Sequence, residues 1–187
     1  MKPMAFLAPL LLAGCIHTHP DDAPPPFISL NAGVPFFADL AASATQITPD
    51  IAATARHAKW LAPGSTWDAT TLPDIAYYRT SQGKPVGAVD PVLGEAVTAW
   101  GTSPWCGCTL SVSGHVIARL VTMRRFWGDS ALGFVFDHEA PSGFSGGPVF
   151  NAHGDLVGIM SDTITLDDGR KGTFAYWSVD VLKAEPK

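Results

Sequence analysis

The feature that most constrains this 187-residue chain is a turn at residues 143–148, which reads Gly-Phe-Ser-Gly-Gly-Pro. Its serine, Ser145, stands between glycines, and the two residues after the proline begin an apolar run typical of a buried strand. Gly143 permits a sharp turn in which its own N–H and that of Ser145 point at one spot. The next two glycines would leave room above the hydroxyl for a substrate. The pattern indicates a nucleophilic serine, with an ordinary glycine-serine turn as the alternative.

Composition favours strands over helices. The chain is 47% hydrophobic and 16% charged, and it has 18 glycines, 16 prolines and only short apolar runs. Such a chain can form one compact domain or two small fused barrels with many strands and tight turns. The net charge of −5 argues against a nucleic-acid surface, so no nucleic-acid partner is expected. No stretch is long and apolar enough for a mature membrane-spanning helix.

Two segments upstream of the serine could supply a base and an acid. A run of small and β-branched residues at 51–58 leads to His57, and Asp74 opens a mostly apolar run. A carboxylate at the head of a buried strand needs a partner, and a histidine N–H is a suitable one. The alternatives are an exposed or structural histidine, and a cap or turn aspartate of the kind expected at Asp50 and Asp68.

These segments together resemble the trypsin-like (chymotrypsin-fold) serine proteases. The family carries Gly-x-Ser-Gly-Gly-Pro at its nucleophile, Thr-Ala-x-His at its base and Asp-Ile/Leu-Ala at its acid, in the chain order seen here for His57, Asp74 and Ser145. Residues 91–104 are similar to the segment that opens the second barrel of the HtrA-like bacterial members. Residues 172–178 are similar to the last strand of that group.

The resemblance implies an all-β fold of two six-stranded antiparallel Greek-key barrels packed together, closed by a short C-terminal helix. The protease domain would span residues 27–187. Its N-terminal barrel would cover about residues 27–90 and its C-terminal barrel about residues 91–187, with Ser178 as the N-cap of the helix.

The resemblance also implies a serine endopeptidase. Ser145 would attack a peptide carbonyl, His57 would take its proton, and Asp74 would orient the imidazole. The N–H groups of Gly143 and Ser145 would form the oxyanion hole. The reaction would need no metal or cofactor. The substrates would be envelope or extracellular proteins, and the oligomeric state is open.

Substrate preference rests on two segments. Glu139 stands six positions before the serine, a place that lines the primary specificity pocket in the family. Pointing inward, it would favour a basic residue before the cut, but residues 137–139 are as readily a solvated loop. Ser161 and Asp162, with Thr163, would pair with the substrate as an added strand edge.

Two departures from the family keep other functions open. Phe144 stands where secreted members carry aspartate and HtrA-like members usually carry asparagine, so packing would have to order the oxyanion loop. Arg56 replaces the small or amide residue usual before the histidine. The alternatives are a weak or inactive trypsin-fold lipoprotein that binds peptides, and a serine esterase on another fold. The chain order disfavours the esterase.

The first 26 residues resemble the start of a bacterial lipoprotein. Residues 1–14 read as a signal peptide ending in Leu-Ala-Gly before Cys15. Cys15 would be lipidated, and residues 15–26 would form a proline-rich tether to the membrane. In a Gram-negative cell this implies the periplasmic side of the outer membrane. A simple secretory signal or a buried first strand is the alternative. The tether's histidines and aspartates could hold a metal weakly, but nothing fixes their geometry, so no metal site is predicted.

Cys106 and Cys108 flank a glycine. Residues i and i+2 of a strand lie roughly 6.6 Å apart, at the upper edge of disulfide reach. A strained bridge and two buried free thiols are equally consistent with this spacing.

Overall fold

The computed structural model describes residues 16–18, 23–32, 40–124 and 130–185. The signal peptide at 1–14, the lipidation site Cys15 and part of the tether lie outside the described residues. The described ranges contain strands β1 Ile16–Thr18, β2 Phe27–Ala32, β3 Leu40–Thr48, β4 Ile51–Ala55, β5 Thr66–Asp68, β6 Ile75–Arg79, β7 Ala96–Thr102, β8 Thr109–Arg124, β9 Ser130–Phe136, β10 Pro148–Asn151, β11 Leu156–Thr165 and β12 Lys171–Trp177.

The first unit is an antiparallel sheet with the strand order β2-β3-β4-β6-β5. Its strands carry apolar residues at consecutive positions because both faces are buried. Tyr77 and Tyr78, neighbours on β6, point to opposite faces and are both fully buried. Six strands were predicted for this unit, and the described residues supply five.

The second unit is a closed barrel. Its sheet runs β1-β8-β7-β10-β11-β12-β9, and β8 also pairs with β9, which joins the six strands from β7 to β12 into a ring. Its interior holds apolar side chains from several strands and from the loop before β10, namely Val97, Val112, Phe134, Phe136, Phe144, Val149 and Val157. The prediction of an all-β trypsin-like fold is confirmed, and this unit has the predicted six strands.

A shared core joins the two units. Ile75 and Tyr77 from the first sheet pack in one apolar cluster with Ile159, Phe174 and Tyr176 from the barrel. The loop that carries Ser145 bonds directly to the first sheet across this boundary, because the Ser43 N–H of β3 donates to the Ser145 carbonyl at 2.9 Å. The boundary between the units is therefore where chemistry-bearing side chains from distant parts of the chain can meet.

Two short helices complete the described structure, a 3₁₀ helix at Arg56–Leu61 and α1 at Ser178–Lys183. Helix α1 confirms the predicted short C-terminal helix, but its N-cap is Trp177 rather than Ser178. The Ser178 hydroxyl instead donates to the carbonyl of Leu156 at 2.7 Å, which ties the helix to β11. No described helix has the length and hydropathy of a membrane-spanning segment.

Candidate active site

His57 and Asp74 are brought together by the pairing of β4 with β6. Ala55, the last residue of β4, lies opposite Ile75, the first residue of β6. His57 follows β4 at the start of the 3₁₀ helix, and Asp74 immediately precedes β6. The N–H of Arg56 donates to the carbonyl of Asp74 at 2.9 Å. This antiparallel pair closes a separation of 17 positions along the chain.

The two side chains form a hydrogen-bonded pair. The Nδ1 atom of His57 lies 3.0 Å from each carboxylate oxygen of Asp74, and the His57 backbone N–H donates to Oδ1 at 3.2 Å. The Asp74 side chain is fully buried, whereas that of His57 is 36% exposed. Because a carboxylate only accepts hydrogen bonds, this contact places the ring proton on Nδ1 and leaves the lone pair on Nε2.

Ser161 and Tyr176 also form hydrogen bonds with Asp74. The Ser161 hydroxyl donates to Oδ2 of Asp74 at 2.6 Å. The Asp74 N–H donates to the hydroxyl oxygen of Tyr176 at 3.1 Å. A buried carboxylate is costly unless its oxygens are hydrogen-bonded, and here Ser161 and His57 meet that requirement.

Ser145 lies beside this pair in the loop between β9 and β10. Its hydroxyl donates to the carbonyl of Ser161 at 3.3 Å, and it lines a cavity together with His57. Among the described residues no hydrogen bond joins Ser145 directly to His57. Ser161 therefore connects the two parts of the site, since its hydroxyl bonds Asp74 and its carbonyl bonds Ser145.

The N–H groups of Gly143 and Ser145 are the candidate oxyanion donors. Gly143 has a φ of +93°, and its carbonyl accepts hydrogen bonds from Ser43 Oγ at 2.7 Å and from the Thr102 N–H at 3.2 Å. The N–H groups of Gly143 and Ser145 donate to no acceptor among the described residues. Both N–H groups are therefore available to an anionic oxygen, as an oxyanion hole requires.

The glycines after Ser145 serve a different purpose from the one expected. A side chain on Gly146 would collide with the Ser43 carbonyl, and one on Gly147 would collide with the Trp100 carbonyl. The space beside them is filled by protein rather than left for a substrate. Glycine is required because the loop passes directly against the backbones of β3 and β7.

Phe144 holds the loop by packing into the barrel interior. Packing of this kind was expected because Phe144 replaces the aspartate or asparagine of the family. Its side chain is 1% exposed and belongs to the interior cluster of the barrel. A side chain on Gly101 would overlap the Phe144 ring. An apolar contact thus holds the turn that carries Ser145.

A cavity of ≈ 170 Å³ opens on one side of Ser145. Asp162 and Thr163 line it, while Glu139 does not. The Glu139 carboxylate instead lies 3.7 Å from Nζ of Lys171, with both side chains more than half exposed. The alternative of a solvated loop therefore fits this segment better than an inward-pointing Glu139.

Arg56 and Lys59 hold the 3₁₀ helix to β5. Nε of Arg56 lies 3.1 Å from Oδ2 of Asp68, and Nζ of Lys59 lies 2.6 Å from Oδ1 of the same side chain. The short loop between His57 and Asp74 contains β5, so these contacts fix the segment on which His57 sits. Arg56, which stands where the family carries a small or amide residue, thus has a structural partner in Asp68.

Cys106 and Cys108 form a disulfide with a Cα–Cα distance of 5.1 Å. Of the two alternatives, the structure therefore contains the bridge. The Ser103 N–H donates to the Cys108 carbonyl at 2.9 Å, which closes the connection between β7 and β8 next to Thr102.

Sequence reasoning did not find Ser43, Thr102 or Tyr176. Ser43 sits in β3, where it and Thr45 are fully buried hydroxyl residues among apolar neighbours. Two buried hydroxyls one alternation apart indicate polar partners elsewhere, and here they are the carbonyls of Gly143 and Gly146. That pattern could have marked β3 as the strand that supports the loop.

Comparison with known proteins agrees with the fold. The chain is similar to the apo form of the MamO protease domain from Magnetospirillum magneticum, with a TM-score of 0.65 and 22% identity over 88% of this chain and 97% of that chain. The active form of the Rv3671c protease from M. tuberculosis gives a TM-score of 0.64 and 19% identity over 86% and 79% of the two chains. Its inactive form gives 0.63 and 17% over 86% and 87%.

No curated protein sequence matches the chain, and the identities to the solved structures are low enough that these carry the fold alone. A family model for the trypsin-like peptidase domain matches residues 36–159, which is more than half of the chain. The chain therefore belongs to the trypsin-like peptidase domain family.

Proposed function

We propose that this protein is a serine endopeptidase that uses Ser145, His57 and Asp74 to hydrolyse peptide bonds of envelope or extracellular proteins. The observation that carries the proposal is the contact between Nδ1 of His57 and the buried carboxylate of Asp74. Nδ1 is engaged there at 3.0 Å, so Nε2 can act as a base toward the cavity that His57 shares with Ser145.

The first step is attack of the Ser145 hydroxyl on the substrate carbonyl carbon. The hydroxyl leaves the carbonyl of Ser161, to which its 3.3 Å bond is long, and turns toward Nε2 of His57. Hydrogen bonds of this kind commonly tighten only when the substrate is present. His57 takes the proton, and Asp74 stabilises the resulting imidazolium.

The N–H groups of Gly143 and Ser145 then bind the carbonyl oxygen as it gains negative charge. Each donor of this type lowers the barrier by about 3 kcal/mol. His57 returns the proton to the amine as the peptide bond breaks, which leaves an ester on Ser145. Water, deprotonated by the same imidazole, hydrolyses that ester and restores the site.

The substrate would bind in an extended form along β11. β10 covers one side of β11 only as far as Ile159, and beyond that point Ser161, Asp162 and Thr163 border the cavity beside Ser145. A peptide added at such an edge is held mainly by backbone hydrogen bonds. Because Glu139 lies outside this cavity, no preference for a basic residue before the cut is proposed.

We further propose that the chain works at the cell envelope, anchored through lipid on Cys15. The support is the Leu-Ala-Gly-Cys sequence at the end of a short apolar run.

A peptide-binding protein without catalytic activity is the second candidate. It is favoured by one observation, that the Ser145 hydroxyl bonds Ser161 instead of His57. Such a protein would use the same edge of β11 but would leave the peptide intact.

Peptide cleavage separates the two candidates. The mature protein and a Ser145→Ala variant would be incubated with a peptide library, and products would be identified by mass spectrometry, with Ser81→Ala as a control at an exposed serine away from the site. New termini with the wild type and Ser81→Ala, but not with Ser145→Ala, are expected. Binding without cleavage by a folded wild type would favour the second candidate.

A further inference from the structure

Two cavities flank Ser145, and they differ in chemistry. The cavity of ≈ 170 Å³ described above borders Asp162 and Thr163. The second, of ≈ 260 Å³, contains His57 and is bordered by the apolar side chains of Leu40, Trp60 and Leu61. Ser145 belongs to both.

Reaction chemistry decides which part of a substrate enters each cavity. The base that takes the serine proton must return it to the departing amine, so the amine and the residue that carries it lie on the side of His57. The acyl part then lies on the other side, against the edge of β11. The larger, apolar cavity therefore faces the residue that follows the scissile bond.

This cavity is suited to an apolar side chain. Apart from His57, no titratable side chain borders it among the described residues. Leu40 is 52% exposed and Trp60 is 60% exposed, so two large apolar side chains stand at its edge in contact with solvent. Covering such surface with another apolar group is favourable, whereas a charged group would lose hydration there.

The Trp60 backbone is held in place before any substrate arrives. It lies in the 3₁₀ helix Arg56–Leu61, next to Lys59, whose ammonium is 2.6 Å from Asp68. Because this backbone is already ordered, a ligand that contacts Trp60 has only side-chain freedom to remove, which favours binding.

From this we infer that Trp60 and Leu40 select a large apolar or aromatic residue immediately after the scissile bond. The inference rests on the proposed function and goes beyond it by assigning specificity to the leaving-group side. It predicts a substrate class in which the new N-terminus after cleavage is an apolar residue.

Acyl transfer tests this without knowledge of the natural substrate. A dialanine thiobenzyl ester would acylate Ser145 with release of the thiol, and amino-acid amides would compete with water for the acyl group. In transfer, the amine nitrogen bonds to the acyl carbon, the ester bond to Ser145 breaks, and the amine proton passes through His57 to the Ser145 oxygen. The ratio of amide product to acid measures how well each amide occupies the leaving-group side.

Phenylalaninamide and leucinamide should exceed glycinamide in this ratio by about tenfold in the wild type. In Trp60→Ala the preference should fall below about threefold. Trp105→Ala is the matched control, because Trp105 is 76% exposed and borders neither cavity. It should keep the wild-type ratio.

The outcomes separate the inference from the proposed function. An acyl-enzyme that partitions equally among the three amides in the wild type would overturn the inference alone. The same holds if Trp60→Ala and Trp105→Ala reduce the preference equally. A folded wild type that releases no thiol from the ester would instead contradict the proposed function, and the inference with it.

Discussion

The ring of Phe144 occupies the space into which a side chain on Gly101 would project. Gly101 belongs to β7, and Phe144 directly precedes Ser145, so one contact couples the barrel wall to the candidate oxyanion loop. The buried aromatic ring therefore supplies the packing that orders this loop.

Gly101→Ala should displace Phe144 and destabilise the protein by about 1–3 kcal/mol, because the added methyl overpacks a filled core. Activity should fall further than stability alone explains, since the N–H groups of Gly143 and Ser145 move with the ring. Thermal unfolding and ester hydrolysis would be measured together. Gly87→Ala is the control, because the nearest atom to its added methyl would be 3.9 Å away. A Gly101→Ala protein as stable and active as Gly87→Ala would refute the coupling.

Asp74→Asn should preserve the fold and lower the rate of acylation by about 10³–10⁴-fold. The amide would donate to Nδ1 of His57, so the ring proton would move to Nε2 and the base would be lost. Stopped-flow acylation of Asp74→Asn and of Asp50→Asn, an exposed aspartate paired with Arg79, gives the comparison. Equal rates for the two variants would rule out a role for Asp74 in setting the tautomer.

Tyr77→Phe should destabilise the protein more than Tyr78→Phe, although both rings are buried. The Tyr77 hydroxyl donates to the Val181 carbonyl at 2.8 Å, so its removal leaves a buried acceptor and costs about 1–2 kcal/mol. The Tyr78 hydroxyl is buried with no hydrogen-bond partner among the described residues. Its removal should change the free energy of unfolding by less than about 0.5 kcal/mol, or increase it. Denaturant titration of the three proteins measures this, and equal losses would contradict the assignment.

Because Tyr77 and Tyr78 are buried, the free energy of unfolding should fall at alkaline pH. Burial raises the pKa of Tyr78, and burial followed by the charge of Glu185 raises the pKa of Tyr77. The folded state therefore keeps both phenols protonated. This contribution is fully present below the ordinary phenol pKa of about 10 and is lost as the pH rises above it. Tyr78→Phe should lose less stability than the wild type between about pH 9 and 11, and identical pH profiles would count against it.

Cys15→Ser should release the protein from membranes, because the thiol that would carry the lipid is gone. Membrane and soluble fractions of cells that produce each form would be compared by immunoblot. Cys106→Ser paired with Cys108→Ser is the control for cysteine loss elsewhere, and it should leave membrane association intact. If Cys15→Ser still sediments with the membrane fraction, the proposed lipid anchor at Cys15 is wrong.

Short sequence motifs, through the family resemblance that they carry, predicted the fold class. The glycine-rich turn pointed to Ser145 as a candidate nucleophile, and the ends of two apolar runs pointed to His57 and Asp74, because each pattern lies within a few consecutive residues. β4 and β6 pair as neighbours, so the juxtaposition of the last two follows from a short-range strand arrangement.

Long-range support was not predictable in the same way. Ser43 bonds the carbonyl of Gly143 across 100 positions, and Ser161 bonds Asp74 across 87. The buried hydroxyls of Ser43 and Thr45 indicate that β3 has polar partners, but the chain near either serine does not show which residues those partners are. The prediction that Gly146 leaves room for a substrate is also wrong. The space beside it holds the Ser43 carbonyl, which belongs to a strand that only the tertiary fold brings close.

The central claim is that Ser145 is a nucleophile activated by His57, and reaction with a fluorophosphonate probe tests it most directly. Intact-protein mass spectrometry at neutral pH should show one adduct, and peptide mapping should place it on Ser145. The adduct should be absent in Ser145→Ala and should form much more slowly in His57→Ala, while Ser81→Ala reacts like the wild type. A folded wild-type protein that forms no adduct, or an adduct that persists in Ser145→Ala, would contradict the account.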